Sequence, residues 1–89
     1  MQAIITVIGM DKIGIIAKVS AVLSDDNVNI LDITQTILGD YFTMMMLVDL
    51  ANTDIPLDQL KEKLDKIGEE LGLSIKLQHE DIFRSMHRI

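Results

Sequence analysis

The segment Gly9-Met10-Asp11-Lys12-Ile13-Gly14-Ile15 sets two glycines, one carboxylate and one cation between a β-branched run and an amphipathic stretch. At a strand-to-helix turn, that composition leaves the first helical N–H groups without intrahelical partners and gives an anion a place to bind. A carboxylate ligand would dock on those N–H groups, and Asp11 would accept an ammonium, a division that suits the zwitterion of an amino acid. A plainer reading makes Asp11 the helix cap and the glycines shapers of the turn, and spacing alone favours it.

Other polar residues carry weaker signals. Asn29, just ahead of a strand pattern, would either touch a ligand or bond its own backbone in an Asx turn. Asp32 reads as an edge-strand charge that discourages aggregation. Met44-Met45-Met46 suits a surface that repacks around a ligand, but thioethers at strand spacing more often fill a core or a dimer contact, and Met45 is then the interface residue. His79 and His87, with Glu80 and Asp81 nearby, would hold a weak metal site only on one continuous helix, and terminal histidines are more often solvated. Ser20, Ser24, Ser74 and Ser85 lie in no pattern of histidine and carboxylate that would activate a nucleophile. No catalytic residue, cofactor or metal is therefore predicted.

Composition narrows the partners. A formal charge of -6 and only three aromatic residues, Tyr41, Phe42 and Phe83, argue against nucleic acid, which needs clustered cations and stacking surfaces. The absence of cysteine excludes disulfides, thiolate metal sites and iron–sulfur ligation, and fits the reducing cytoplasm. No basic leader with a long apolar stretch opens the chain, and no apolar run approaches the ~20 residues that span a bilayer. The 89 residues suffice for one domain, predicted over 1–89 with a core over 3–78 and a tail over 79–89. So small a chain buries only roughly 60 to 65% of its unfolded surface, and association into a homodimer or higher homo-oligomer is the expected supplement.

The elements that must position these residues follow from periodicity. Ala3 to Ile8 is β-branched and apolar on both faces, as a central strand requires, and Gly9 is read as its end. Ile15, Ile16, Val19, Val22 and Leu23 recur at helical spacing, and Asn27 suits a left-handed helix end, although Asp25 and Asp26 oppose the helix dipole there. Asn29 to Leu38 alternates, with Leu31, Ile33, Gln35 and Ile37 expected on one face and Ile30, Asp32, Thr34 and Thr36 on the other. Gly39-Asp40 marks a tight hairpin into Tyr41 to Leu50, where Phe42, Met44, Met46, Val48 and Leu50 share a core face. Pro56 suits a first helical position, Leu57, Leu60, Leu64, Ile67 and Leu71 form a helical stripe, and Gly72 stops it. Leu73 to Gln78 alternates strictly. Ile82, Phe83, Met86 and Ile89 then recur at helical spacing in a short tail that needs an apolar surface, which a partner subunit would supply.

The order βαββαβ is that of the α+β ferredoxin-like fold: a four-stranded antiparallel sheet, strand order 4-1-3-2, with both helices on one face. That fold hosts unrelated functions, so the turn must decide. An acylphosphatase-like enzyme would need an arginine in the first turn, where only Lys12 is cationic, and a copper chaperone or ferredoxin would need cysteines.

Gly-x-Asp-x-x-Gly-Ile over residues 9–15, followed by Asn29-Ile30, resembles the signature of ACT domains, and the resemblance covers Ala3 to Gln78. With Ile33-Thr34-Gln35-Thr36 and Tyr41-Phe42-Thr43-Met44-Met45, the chain is similar to small stand-alone ACT proteins and to the ACT modules of glycine-cleavage regulators and formyltetrahydrofolate deformylases. The resemblance implies a non-catalytic, cytoplasmic regulatory module: a dimer that binds an amino acid or related metabolite between the first turn of one subunit and the second strand of another. Carried over by motif position, its ligand-binding residues are Asp11, Lys12, Ile13, Gly14, Asn29 and Gln35, with Gly9 at the opening of the turn. The expected lack of an attached catalytic or DNA-binding domain is a departure that limits the carry-over, and a partner enzyme or regulator is among the expected partners. The sequence Asp26-Asn27-Val28 departs from the Gly or polar residue usual before Asn29. The competing expectation is a structural homodimeric or partner-binding subunit with no small-molecule ligand.

Overall fold

A computed structural model describes residues 1–10 and 13–80. The elements are β1 (Gln2–Met10), α1 (Ile15–Asp25), β2 (Asn29–Leu38), β3 (Tyr41–Asp49), α2 (Leu57–Leu71) and β4 (Leu73–His79). They form one four-stranded sheet in the order β2-β3-β1-β4, all neighbours antiparallel. This is the ferredoxin-like arrangement expected from the periodicities, read from the opposite edge. The predicted tail residues Ile82, Phe83, Met86 and Ile89 lie outside the described residues.

Register explains the core. Residues directly opposite each other in an antiparallel pair project from the same face. Met46, Ile5 and Leu77 therefore form one row, Met44, Val7 and Ile75 the next, and Phe42, Gly9 and Leu73 a third. The side chains of all three rows are buried, as are Ile15, Val19 and Leu23 of α1 and Leu60, Leu64 and Ile67 of α2. Burying each such side chain is worth about 1.5–3 kcal/mol, so this single apolar layer between sheet and helices supplies the main driving force for folding.

Two helix ends follow their sequence signals. Val28 N–H donates to Leu23 O at 2.8 Å and Asn27 N–H to Ser24 O at 3.1 Å, with Asn27 at φ 57. This is a Schellman turn in which Asn takes the left-handed position and Val28 packs in the core beside Leu23. Gly72, at φ 69, ends α2. Pro56, by contrast, is the N-cap of α2 with extended backbone, one residue ahead of its expected place. Asp26 escapes the unfavourable helix dipole by pairing with Lys63 of α2.

Two strand readings change. β1 continues through Gly9 to Met10, because Gly9 pairs with both Phe42 and Leu73. In β2 the register shifts between Ile30 and Asp32, so Leu31 is the extra residue of a bulge. Ile30 thereby joins Ile33, Gln35 and Ile37 on the helix side, opposite Val48, Met46, Met44 and Phe42, and Leu31 leaves that group. The open face holds Asp32, Thr34 and Thr36.

Candidate functional site

The first turn is shaped by two glycines that serve different ends. A Cβ on Gly9 would collide with Leu73 Cδ2 and lie 3.3 Å from Leu73 Cα, so Gly9 is glycine because β4 passes close to it. Gly14 has φ 90 and no atom near its would-be Cβ, so it is required by backbone conformation. Gly14 is also the N-cap of α1, a position the plainer reading assigned to Asp11, and it has no side chain with which to cap. The first helical bond runs from Lys18 N–H to Gly14 O at 3.0 Å, which leaves the N–H groups of residues 15–17 without intrahelical acceptors. No acidic residue stands in this first turn. Asp11 and Lys12 lie outside the described residues, whereas Ile13 is 104% exposed beside them.

The strand residues are distributed unevenly around this turn. Gln35 sits on the edge strand β2, on the helix side, opposite Met44, which in turn opposes Val7. Two strand spacings, about 10 Å, separate Gln35 from β1. Asn29 is elsewhere. It pairs with Asp49, and Asp49 pairs with Gln2, so Asn29 is level with the beginning of β1, seven residues and about 23 Å from Gly9. β1 and β2 are both antiparallel to β3 and hence run in the same direction, which sends the end of β1 and the beginning of β2 to opposite ends of the sheet. Within one chain, the turn, Gln35 and Asn29 are not brought together.

Asn29 instead belongs to a hollow of about 630 Å³ at its own end of the molecule, shared with Ser20, Ser24, Asn27 and Asn52. Sequence reasoning gave none of these four a binding role. Ser20 and Ser24, four residues apart on the polar side of α1, were the available signal.

The helix layer does not extend over β2. Ile33 is 40% and Ile37 58% exposed on its helix side, and Gln35 between them is exposed. A strip with apolar residues on either side of a primary amide thus runs along the free edge, from the turn toward the middle of β2. On the open face, Met45 opposes Thr6 and Thr34 and is half-buried, as expected of a residue outside the core. No group of three or more potential metal ligands occurs among the described residues. His79 is half-buried at the end of β4, and His87 lies outside the described residues. No helix among the described residues is long and apolar enough to cross a membrane.

The chain matches a family model described as the ACT domain over residues 1–78. It is 56% identical over 89 residues to a UPF0237 protein of Clostridium acetobutylicum, covering 100% of both chains. An ACT domain protein from Streptococcus pneumoniae superimposes with a TM-score of 0.80 at 41% identity, over 93% of each chain. The regulatory subunit of aspartate kinase from Thermus thermophilus superimposes with a TM-score of 0.66 at 28% identity, over 86% of this chain and 50% of that one.

Proposed function

The chain belongs to the ACT domain family, and on that footing we propose that it is a non-catalytic regulatory module, a cytoplasmic homodimer whose two copies bind an amino acid or related metabolite between them. ACT domains are regulatory and often bind ligands. The observation that carries the reading is the separation of Asn29 from the first turn by about the length of the sheet, together with the uncovered β2 edge between them. A two-fold axis that pairs β2 with β2 of a second copy, antiparallel, sets the beginning of one β2 against the end of the other. Asn29 of one copy then approaches the turn of its partner, and the residues scattered within one chain converge across the interface.

In that assembly the N–H groups behind Gly14 take the ligand carboxylate, Asp11 takes its ammonium, and Lys12, Ile13 and Gln35 line the cleft with Asn29 of the partner subunit. The exposed apolar residues Ile33 and Ile37 and the sparse charge on this edge support pairing there, because an unprotected edge strand is a template for another. The single domain spans residues 1–89 in this reading, and the effector's output passes to a partner enzyme or regulator.

A thermal-shift screen over amino acids tests the ligand. A compound at a hundredfold excess over its Kd should stabilise the protein by about 2.7 kcal/mol. Asp11→Ala and Gln35→Ala should reduce that response while leaving the unliganded protein folded. Equal responses of wild type and both variants to every compound would remove the proposed cleft.

A second reading draws on the contact between Gly9 and Leu73, which accounts for one signature glycine with no ligand at all. It describes a structural homodimer or partner-binding subunit. A stable dimer whose melting no metabolite shifts would select it.

A further inference from the structure

The two free edges of the sheet differ in what they offer a second copy of the chain. β4 is covered on its helix side, where Leu73, Ile75 and Leu77 are buried, and its middle residue, Lys76, is exposed. A two-fold pairing along the whole of β4 would set Lys76 against its own copy, and like charges placed directly opposite repel. Lysine on an edge strand also guards against strand addition in general. β2 has neither protection. Residues 31–38 are all exposed, and residues 33–38, Ile-Thr-Gln-Thr-Ile-Leu, carry no charge in a chain whose formal charge is -6.

The bulge at Leu31 decides how two such edges meet. β2 pairs residue for residue with β3 from Asp32 to Leu38, so the regular edge it presents is residues 32–38. Before Asp32 the extra residue bends the strand and disrupts the ladder. A two-fold axis perpendicular to the sheet keeps both helix layers on one side, so opposed residues must face the same way and one residue must oppose its own copy. Gln35, the midpoint of residues 32–38, is the one position that lets the whole regular edge of both copies pair.

On the footing of the β2 pairing proposed above, we infer that two copies of this chain join through residues 32–38 with Gln35 on the two-fold axis, a register set by the Leu31 bulge. On the helix side Ile33 then opposes Ile37 of the partner subunit, both of them exposed in the single chain. The two Gln35 amides meet between these apolar pairs, where each offers a donor and an acceptor to the other. An axis at Thr34 or Thr36 would instead set isoleucine against the Gln35 amide. The same register brings Asn29 of the partner subunit level with Gly39-Asp40, at the end of the sheet that holds the first turn.

Because the chain has no cysteine, single-cysteine variants report the axis directly. Full-length Ile33→Cys, Thr34→Cys, Gln35→Cys, Thr36→Cys and Ile37→Cys are oxidised at a concentration where the protein sediments as a dimer. Opposed Cα atoms in an antiparallel pair lie about 4.5–5.5 Å apart, within the roughly 7 Å that a disulfide tolerates. At Thr34 or Thr36 the two copies are displaced along the strand by about 7 Å as well, and at Ile33 or Ile37 by about 13 Å. Gln35→Cys should therefore cross-link two chains about tenfold faster than any of the other four. Ile33→Cys/Ile37→Cys should cross-link where neither single variant does, since its cysteines are about 13 Å apart within one chain but opposed between chains. Fastest cross-linking at another single position, in protein that sediments as a dimer, would overturn the register and leave β2 pairing in place. A dimer in which no β2 variant outpaces a control cysteine at Glu69 of α2 would overturn the pairing and the register together.

Discussion

Lys63 Nζ donates to both carboxylate oxygens of Asp26, at 2.9 and 3.0 Å, and so ties the end of α1 to the middle of α2. Asp26 is 5% exposed, whereas Lys63 keeps about half of its side chain in water. The pair occupies the place where α1 turns toward Asn29, so it fixes the entry into β2.

Lys63→Met strands the carboxylate of Asp26 beside the core. It should cost about 1–2 kcal/mol, less than the ~3–5 of a fully buried pair because Lys63 is half solvated. Asp26→Asn in the same chain should restore part of the loss. Urea unfolding of the four proteins in the cycle checks this, and additive effects of the two substitutions would mean the pair contributes nothing of its own.

Gly9→Ala and Gly14→Ala should both destabilise, for different reasons. At Gly9 the new methyl meets Leu73, an overpacking cost of about 1–3 kcal/mol. At Gly14 the cost is about 1 kcal/mol of backbone strain at φ 90. Leu73→Val removes the Cδ2 atom in contact, so it should soften Gly9→Ala and leave the penalty of Gly14→Ala unchanged. The same coupling at both glycines would contradict the assignment.

Met44 and Met45 are adjacent but face opposite sides of β3, Met44 fully buried and Met45 half-buried. Met44→Ala should cost about 2–5 kcal/mol and Met45→Ala markedly less. Thermal unfolding distinguishes them at about 4–8 °C per kcal/mol for a domain of this size. Comparable losses would place both side chains in equally packed surroundings.

Ile37→Lys puts a charge on the helix side of the uncovered edge at a position that is 58% exposed. Monomer stability should change by no more than about 0.5 kcal/mol, the usual range for a surface site. The sedimentation coefficient should nevertheless fall from dimer to monomer at micromolar concentration. A wild-type protein that already sediments as a monomer would refute pairing through β2.

Element order, strand order and most of the core were legible in the chain alone, because amphipathic periods of two and 3.6 are local properties that any packed fold must respect. The Leu57 to Leu71 stripe, the alternation of β3 and the left-handed Asn27 needed no knowledge of neighbours. Tertiary structure decided whatever depends on residues far apart in sequence. The bulge that moves Ile30 to the helix side exists only against the register of β3, and Gly9 acquires its reason from Leu73. Asp26 finds its cation thirty-seven residues away. The candidate site follows the same division: the motif named its residues, but the parallel run of β1 and β2 sets Asn29 and the turn at opposite ends of the sheet. Periodicity records which way a side chain faces; only packing determines what it faces.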